Sequence, residues 1–257
     1  MTKIYAIVNQ KGGVGKTTSV INMCAYLAAS KKRVLMVDLD PQANATSGIG
    51  LDKYEIELST YDILLELASA AEVVMPHDEW HFDLLPANPA LAGAEVELVN
   101  AIAREYRLHN ALQTIADTYD YILIDCPPSL GLLTINALTA AQDGVIIPVQ
   151  CEYLALEGLT QLQQTVQLVQ KYLNPKLDVR GLVLTMYDGR TNLSRQVVEE
   201  VRAHFPGKVF RAIIPRSIRL SEAPSFGQPI GEYAPNSAGA VAYKVLAKEL
   251  VRGDKAK

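Results

Sequence analysis

Near the start of the chain, glycines, lysines and two hydroxyls stand at a spacing that could hold a phosphate chain. They lie in Asn9-Gln10-Lys11-Gly12-Gly13-Val14-Gly15-Lys16-Thr17-Thr18. Glycines let consecutive backbone N–H groups turn inward on anionic oxygens. Lys16 would reach the β- and γ-phosphates of a nucleotide, and the Thr17 hydroxyl would take one Mg²⁺ position. The elements that must position them are legible on either side. An apolar run, Ile4–Val8, precedes the loop, and a helical pattern, Thr17–Ser30, follows it. Strand, loop and helix in that order aim a helix N-terminus, with its partial positive charge, at the phosphates. The usual loop begins with a glycine six residues before the lysine; Gln10 stands there, and a second lysine, Lys11, follows. Lys11 could lean on its own nucleotide or extend to the phosphates of a twofold-related chain.

Two further strand patterns end in acid, at the edge where parallel sheets gather ligands. One reads Val34-Leu-Met-Val-Asp38-Leu-Asp40-Pro41-Gln42, the other Ile122-Leu-Ile-Asp125-Cys-Pro-Pro128. Asp125, behind its apolar run, suits Mg²⁺ directly or through water. Asp38 and Asp40 share a side in extended backbone, and Pro41 biases Asp40 towards that geometry. Asp40 is assigned to positioning and polarising an attacking water, and Asp38 to the water shell of Mg²⁺.

Apolar runs alternate with helical patterns along the rest of the chain. Strands are expected at Lys3–Val8, Val34–Asp38, His81–Leu85, Tyr121–Asp125, Gly144–Val149, Leu182–Met186 and Val209–Ile214. Helices are expected at Thr17–Ser30, Tyr61–Ser69, Leu91–Thr118, Leu132–Ala141, Ala155–Tyr172, Ser194–His204 and Ala238–Val251. Several strand runs are continuously apolar, as strands covered on both faces require. The fold class that follows is α/β: a doubly wound, mainly parallel sheet with helices on both faces. The length, 257 residues, fits one large domain over residues 1–257, with Leu51–Pro89 its least regular part and Gly253–Lys257 a frayed end.

Composition narrows the function classes. No apolar run is long enough to span a bilayer, and the first residues read as a strand rather than a secretory leader. Cys24, Cys126 and Cys151 make no metal spacing and read as small buried hydrophobes of a reducing cytoplasm. The net charge of −4 hides an asymmetry. Residues 1–179 carry 11 Lys/Arg against 21 Asp/Glu, and residues 180–257 carry 13 against 7. A basic final third on an acidic body permits a localised positive surface. Arg190, Arg195 and Arg202 lie around one predicted helix, and Arg216 and Arg219 follow a strand. Such a patch would bind phosphates of duplex DNA without reading bases, with steep salt dependence. No aromatic residues interleave with the arginines, which disfavours single strands.

The loop, with Lys11 before Gly-Gly-x-Gly-Lys-Thr-Thr, resembles the deviant Walker A loop of the ParA/MinD family of ATPases. Further stretches resemble its short chromosomal, Soj-type partition proteins. These are Asp38–Gln42, Asp125-Cys-Pro-Pro-Ser129-Leu-Gly, Pro148-Val-Gln-Cys-Glu152-Tyr-x-Ala155-Leu-Glu-Gly158-Leu and Pro215-Arg-x-x-Arg219-Leu-x-Glu-Ala-Pro224-Ser. The resemblance covers nearly the whole chain. It implies that Lys11 crosses to the partner's phosphates and that Asp-x-Asp-Pro serves the attacking water and Mg²⁺. It also implies that Pro215 and Ser217 lie near adenine, with Ser217 where the family often has Asn. Glu152 reads either as a contact to the partner's ribose or as a solvated helix-entry glutamate. Arg190 and Arg219 are implied to touch DNA across a dimer, with Arg195 and Arg216 beside them.

The expected activity is a Mg²⁺-dependent ATPase switch. ATP would close two chains face to face, align their basic surfaces on non-specific double-stranded DNA, and release them on hydrolysis. Turnover should be slow, because no arginine finger is apparent in cis. The family implies stimulation by a ParB-type centromere-binding protein and a place on the nucleoid in the cytoplasm. A MinD-like ATPase on a membrane, an iron–sulfur reductase and an ATPase that positions a protein cargo are the rivals. The first needs a C-terminal amphipathic helix of greater apolar bulk than Ala240–Val251 offers.

Overall fold

The computed structural model describes residues 1–152 and 157–255. Its strands are β1 (Lys3–Ile7), β2 (Val34–Asp38), β3 (Met75–His77), β4 (Phe82–Leu85), β5 (Tyr121–Asp125), β6 (Gly144–Gln150), β7 (Val179–Tyr187) and β8 (Val209–Pro215). They form one sheet in the order β3-β4-β2-β5-β1-β6-β7-β8. All neighbouring pairs run parallel except β3 with β4, a short antiparallel edge. The parallel strands therefore deliver their C-terminal ends to one rim, and β1 sits centrally between β5 and β6.

Helices cover both faces, as the continuous apolar runs require. They are α1 (Lys16–Ala29), α2 (Asn44–Gly48), α3 (Thr60–Leu64), α4 (Ala70–Val73), α5 (Leu91–Glu97), α6 (Arg107–Gln113), α7 (Leu132–Ala140), α8 (Glu157–Tyr172), α9 (Asn192–His204), α10 (Ile218–Glu222), α11 (Ile230–Tyr233) and α12 (Ala238–Lys255). Alternate residues of each strand feed two separate cores. Ile4 and Ala6 face a core with Leu64, Leu108, Leu133 and Leu162, whereas Tyr5 and Ile7 face one with Met23, Leu27, Tyr243 and Leu246. Because α12 spends its apolar side on the second core, that side is not free for a membrane. Among the described residues no helix is long and apolar enough to cross one.

Three expectations from the sequence need correction. The helix expected over Leu91–Thr118 is broken into α5, short turns and α6. A tertiary side chain does this: buried Asn136 of α7 donates from Nδ2 to Arg104 O at 2.9 Å and accepts the Leu108 N–H at 3.1 Å. Similarly, the pattern Tyr61–Ser69 yields α3 alone, because Ser69 begins a new capping box with Glu72 for α4. The end expected to fray from Gly253 stays helical through Lys255. Asp254 holds it, its side chain only 5% exposed. Its carboxylate accepts Tyr5 Oη at 2.7 Å, Tyr121 Oη at 3.1 Å and Arg180 Nε at 3.1 Å. Residues 155 and 156 of the expected helix start, and residues 256 and 257 of the tail, lie outside the described residues.

Candidate nucleotide site

The loop after β1 is built from its backbone outward. Val8 N–H donates to Ile146 O at 3.1 Å, continuing the sheet for one more residue. Asn9 then bridges to β6 through Nδ2 and Pro148 O at 2.7 Å, while its Oδ1 accepts Lys11 N–H at 2.9 Å and bends the chain. Gly13 and Gly15 follow with φ of 71° and 89°, left-handed conformations that a side chain would strain. Helix α1 starts at Lys16 without a side-chain cap and without an acid in its first turn. Its leading N–H donors and dipole are thus open to an anion. Lys16 is buried, and its Nζ spans the loop to Lys11 O at 3.3 Å. Burial lowers its pKa, while Asp125 and Asp40 act in the opposite direction.

Parallel pairing sets Asp38 directly beside Asp125 at the ends of β2 and β5. The two carboxylates fare differently. Asp38 has both oxygens engaged: Oδ1 accepts Asp40 N–H at 3.1 Å, and Oδ2 accepts the N–H and Oγ1–H of Thr46, each at 2.8 Å. It therefore ties α2 and the bend carrying Asp40 to the sheet. Burial pushes its pKa up to about 6 against these hydrogen bonds. Asp125 accepts Thr17 Oγ1–H at 2.7 Å on Oδ2, and its buried Oδ1 has no hydrogen-bond partner among the described residues. Burial first, and Asp38 second, raise its pKa well above the carboxylate range. An unmatched carboxylate oxygen beside a hydroxyl is a donor set that fits a hard divalent cation.

A cleft of about 510 Å³ opens above these groups, lined by Gly12, Gly13, Lys16, Thr17, Thr18 and Asp40 among others. Asp40 Oδ1 is steadied by Gln42 N–H at 2.9 Å. Next to it a cavity of about 350 Å³ brings in Pro215 and Ser217 at the end of β8, with Gly15 and Thr18 as the shared wall. The remaining loop residues stand apart from both. Val14 is buried with its carbonyl accepting Thr185 Oγ1–H at 2.9 Å, and Lys11 is exposed at the loop's tip.

The four arginines and Glu152 follow the C-terminal ends of β6, β7 and β8, on the same rim, and Arg216 and Glu152 share a pocket there. A pocket of about 380 Å³ contains Cys151, Glu152, Asp188, Ser194 and Arg216. Arg216 pairs with Glu152, Arg190 with Asp188 at 2.7 Å, and Arg219 with Glu222 at 3.0 Å. Arg195 donates to the neutral amide of Asn192. The cysteines are all buried as free thiols, placed to pack rather than to meet a partner's thiolates at a surface.

Sequence reasoning missed Thr46, Thr185 and Met186. Met186 adopts a left-handed φ of 51° and lines all three cavities, joining the cleft to the arginine group. A methionine in a β-run carries no local signal of that role. Thr46 does sit in a run of small polar residues after Asp40, which marks the segment as irregular.

A glycine-lined cradle at the central strand of a doubly wound parallel sheet defines a P-loop NTPase fold. A family model described as an AAA domain matches residues 2–179. The sporulation initiation inhibitor protein Soj of Bacillus subtilis (strain 168) is 58% identical over 250 residues, covering 97% of this chain and 98% of that protein. The chromosome partitioning protein ParA of Myxococcus xanthus (strain DK1622) is 53% identical over 252 residues, covering 98% and 89%. Among solved structures, one named as cobyrinic acid a,c-diamide synthase of Mycobacterium smegmatis, with bound ATP analog and magnesium, superposes with a TM-score of 0.88. It is 40% identical, over 99% of this chain and 96% of that one. The chain belongs to the Soj/ParA family of chromosome-partitioning proteins.

Proposed function

We propose that the chain is a partitioning ATPase whose ATP-bound dimer holds non-specific duplex DNA, working as one domain on the nucleoid in the cytoplasm. The observation that carries this reading is an uncapped helix N-terminus and a buried lysine on one cleft, with an unmatched carboxylate oxygen buried behind Thr17. A relative 53% identical over almost all of the chain is named for chromosome partitioning.

The α1 N–H donors and Lys16 hold the β- and γ-phosphates, and Pro215 and Ser217 border the base. Thr17, with Asp125 behind it, would hold Mg²⁺, which would supply positive charge against the phosphate oxygens. Asp38 would serve the water shell of Mg²⁺, and it also anchors the bend that presents Asp40 to the cleft. Asp40 orients and polarises the attacking water, and no arginine completes the charge stabilisation in cis, so turnover is slow. Exposed Lys11 reaches the phosphates of a twin chain, so the γ-phosphate holds the pair closed. The paired rims then present Arg190, Arg195, Arg216 and Arg219 of both chains to DNA phosphates, a multivalent grip that hydrolysis releases. A ParB-type protein would speed that hydrolysis.

The experiment is co-sedimentation of the chain with random-sequence duplex DNA in ATP, ADP or no nucleotide, at two salt concentrations. Retention in ATP alone, falling steeply with salt, is expected. Equal retention in all three states would sink the switch. ATP-dependent flotation on anionic vesicles without DNA retention would replace it with the membrane reading.

A further inference from the structure

Three arginines of the outer rim, Arg190, Arg216 and Arg219, are each paired with an acid. Arg190 grips Asp188 with a planar fork, Nε to Oδ1 at 2.9 Å and Nη2 to Oδ2 at 2.7 Å, and its own N–H adds a third bond at 3.0 Å. Asp188 feels Arg216 as well, and Arg190 first of all draws its pKa down to about 2. Arg216 is itself joined to Glu152. Arg219 Nη1 donates to Glu222 Oε2 at 3.0 Å, and that oxygen also accepts Tyr233 Oη at 2.9 Å, which fixes the carboxylate in place. Carboxylate and phosphate are competing ligands for the same guanidinium fork.

We infer that Asp188 and Glu222 act as intramolecular phosphate mimics, occupying Arg190 and Arg219 and setting a threshold against DNA binding. The inference rests on the DNA reading above. Each arginine must exchange its own carboxylate for a DNA phosphate. Exposed pairs of this kind are weak, so exchange is easy but not free. A single chain then binds DNA poorly, and two chains side by side overcome the threshold because their contacts add on one duplex. The acids thereby sharpen the contrast between paired and unpaired chains, a job that the basic residues alone cannot do.

The test uses the full chain and a fluorescent random-sequence duplex, with affinity read by anisotropy in ADP and in ATP. Asp188→Asn keeps an oxygen for the Arg190 N–H and so keeps the turn. Glu222→Gln keeps an acceptor for Tyr233. Each is expected to tighten binding about two- to fivefold at low salt, and both together about tenfold, with the gain shrinking as salt rises. Glu199→Gln removes the same charge from exposed α9 and serves as the control for bulk charge. Unchanged or weaker binding in the double variant, with an unaltered melting temperature, overturns the inference. So does an equal gain in Glu199→Gln. Wild-type chain that fails to bind DNA in ATP at low salt brings down the DNA reading itself, whereas wild type that binds while the variants match it brings down only the mask.

Discussion

Asp125 and Asp254 are both buried carboxylates against the same sheet, at opposite ends of its strands. Asp254 is fully answered: two tyrosine hydroxyls and a guanidinium converge on it. Asp125 has one hydroxyl on one oxygen and, among the described residues, nothing on the other. The first arrangement closes the fold, and the second leaves a cost that only a ligand can offset. A buried polar group with its partners in place marks stability, and one without them marks function.

The largest effect on nucleotide binding should come from the unanswered end. Lys16→Ala removes its cation and should cut ATP affinity at least ~100-fold, roughly 3 kcal/mol, measured by titration calorimetry. Little change in melting temperature should accompany it. At the answered end, Asp254→Ala strands a buried Arg180 and should cost about 3–5 kcal/mol in denaturant unfolding while sparing nucleotide affinity. A small loss there would mean that the cluster is incidental to stability. Asp125→Asn separates the two ends further. It should abolish Mg²⁺-dependent turnover yet leave unfolding free energy unchanged or higher, because it removes an unmatched charge; a loss of more than about 2 kcal/mol would contradict the reading.

The most gradual effect, spread over pH, concerns Asp38. Its native pKa, about 6, lies above its unfolded value, so the fold binds the proton more tightly. That contribution is full at low pH and is lost as pH rises through about 4 to 6, with a slope of at most ~1.4 kcal/mol per pH unit. Asp38→Asn should flatten the slope in that window, as read from unfolding at several pH values.

Much of this was legible in the residues. β5 runs from Tyr121 to Asp125 and β2 from Val34 to Asp38, as their apolar runs require, because a strand buried on both faces leaves little room for ambiguity. The cradle was legible because its chemistry is local: glycines, lysine and hydroxyls in consecutive positions. What escaped was set across the fold. β3 is a three-residue edge strand held by β4. The break between α5 and α6 depends on Asn136, some thirty residues further along. The link from Thr185 to Val14, and the pairing of Arg216 with Glu152, join positions far apart in sequence whose neighbours predict nothing about them. Sequence pointed to the arginines but not to these acids as their partners.

Strand β1 has one more consequence, for synthesis. Its partners are β5, beginning at Tyr121, and β6, beginning at Gly144. A ribosome adding about 5–20 residues per second emits the central strand roughly 6–24 s before its first neighbour exists. For that interval the nascent chain carries a sticky apolar ribbon with no docking place, so early chaperone capture is expected to govern how much of this protein is ever made whole.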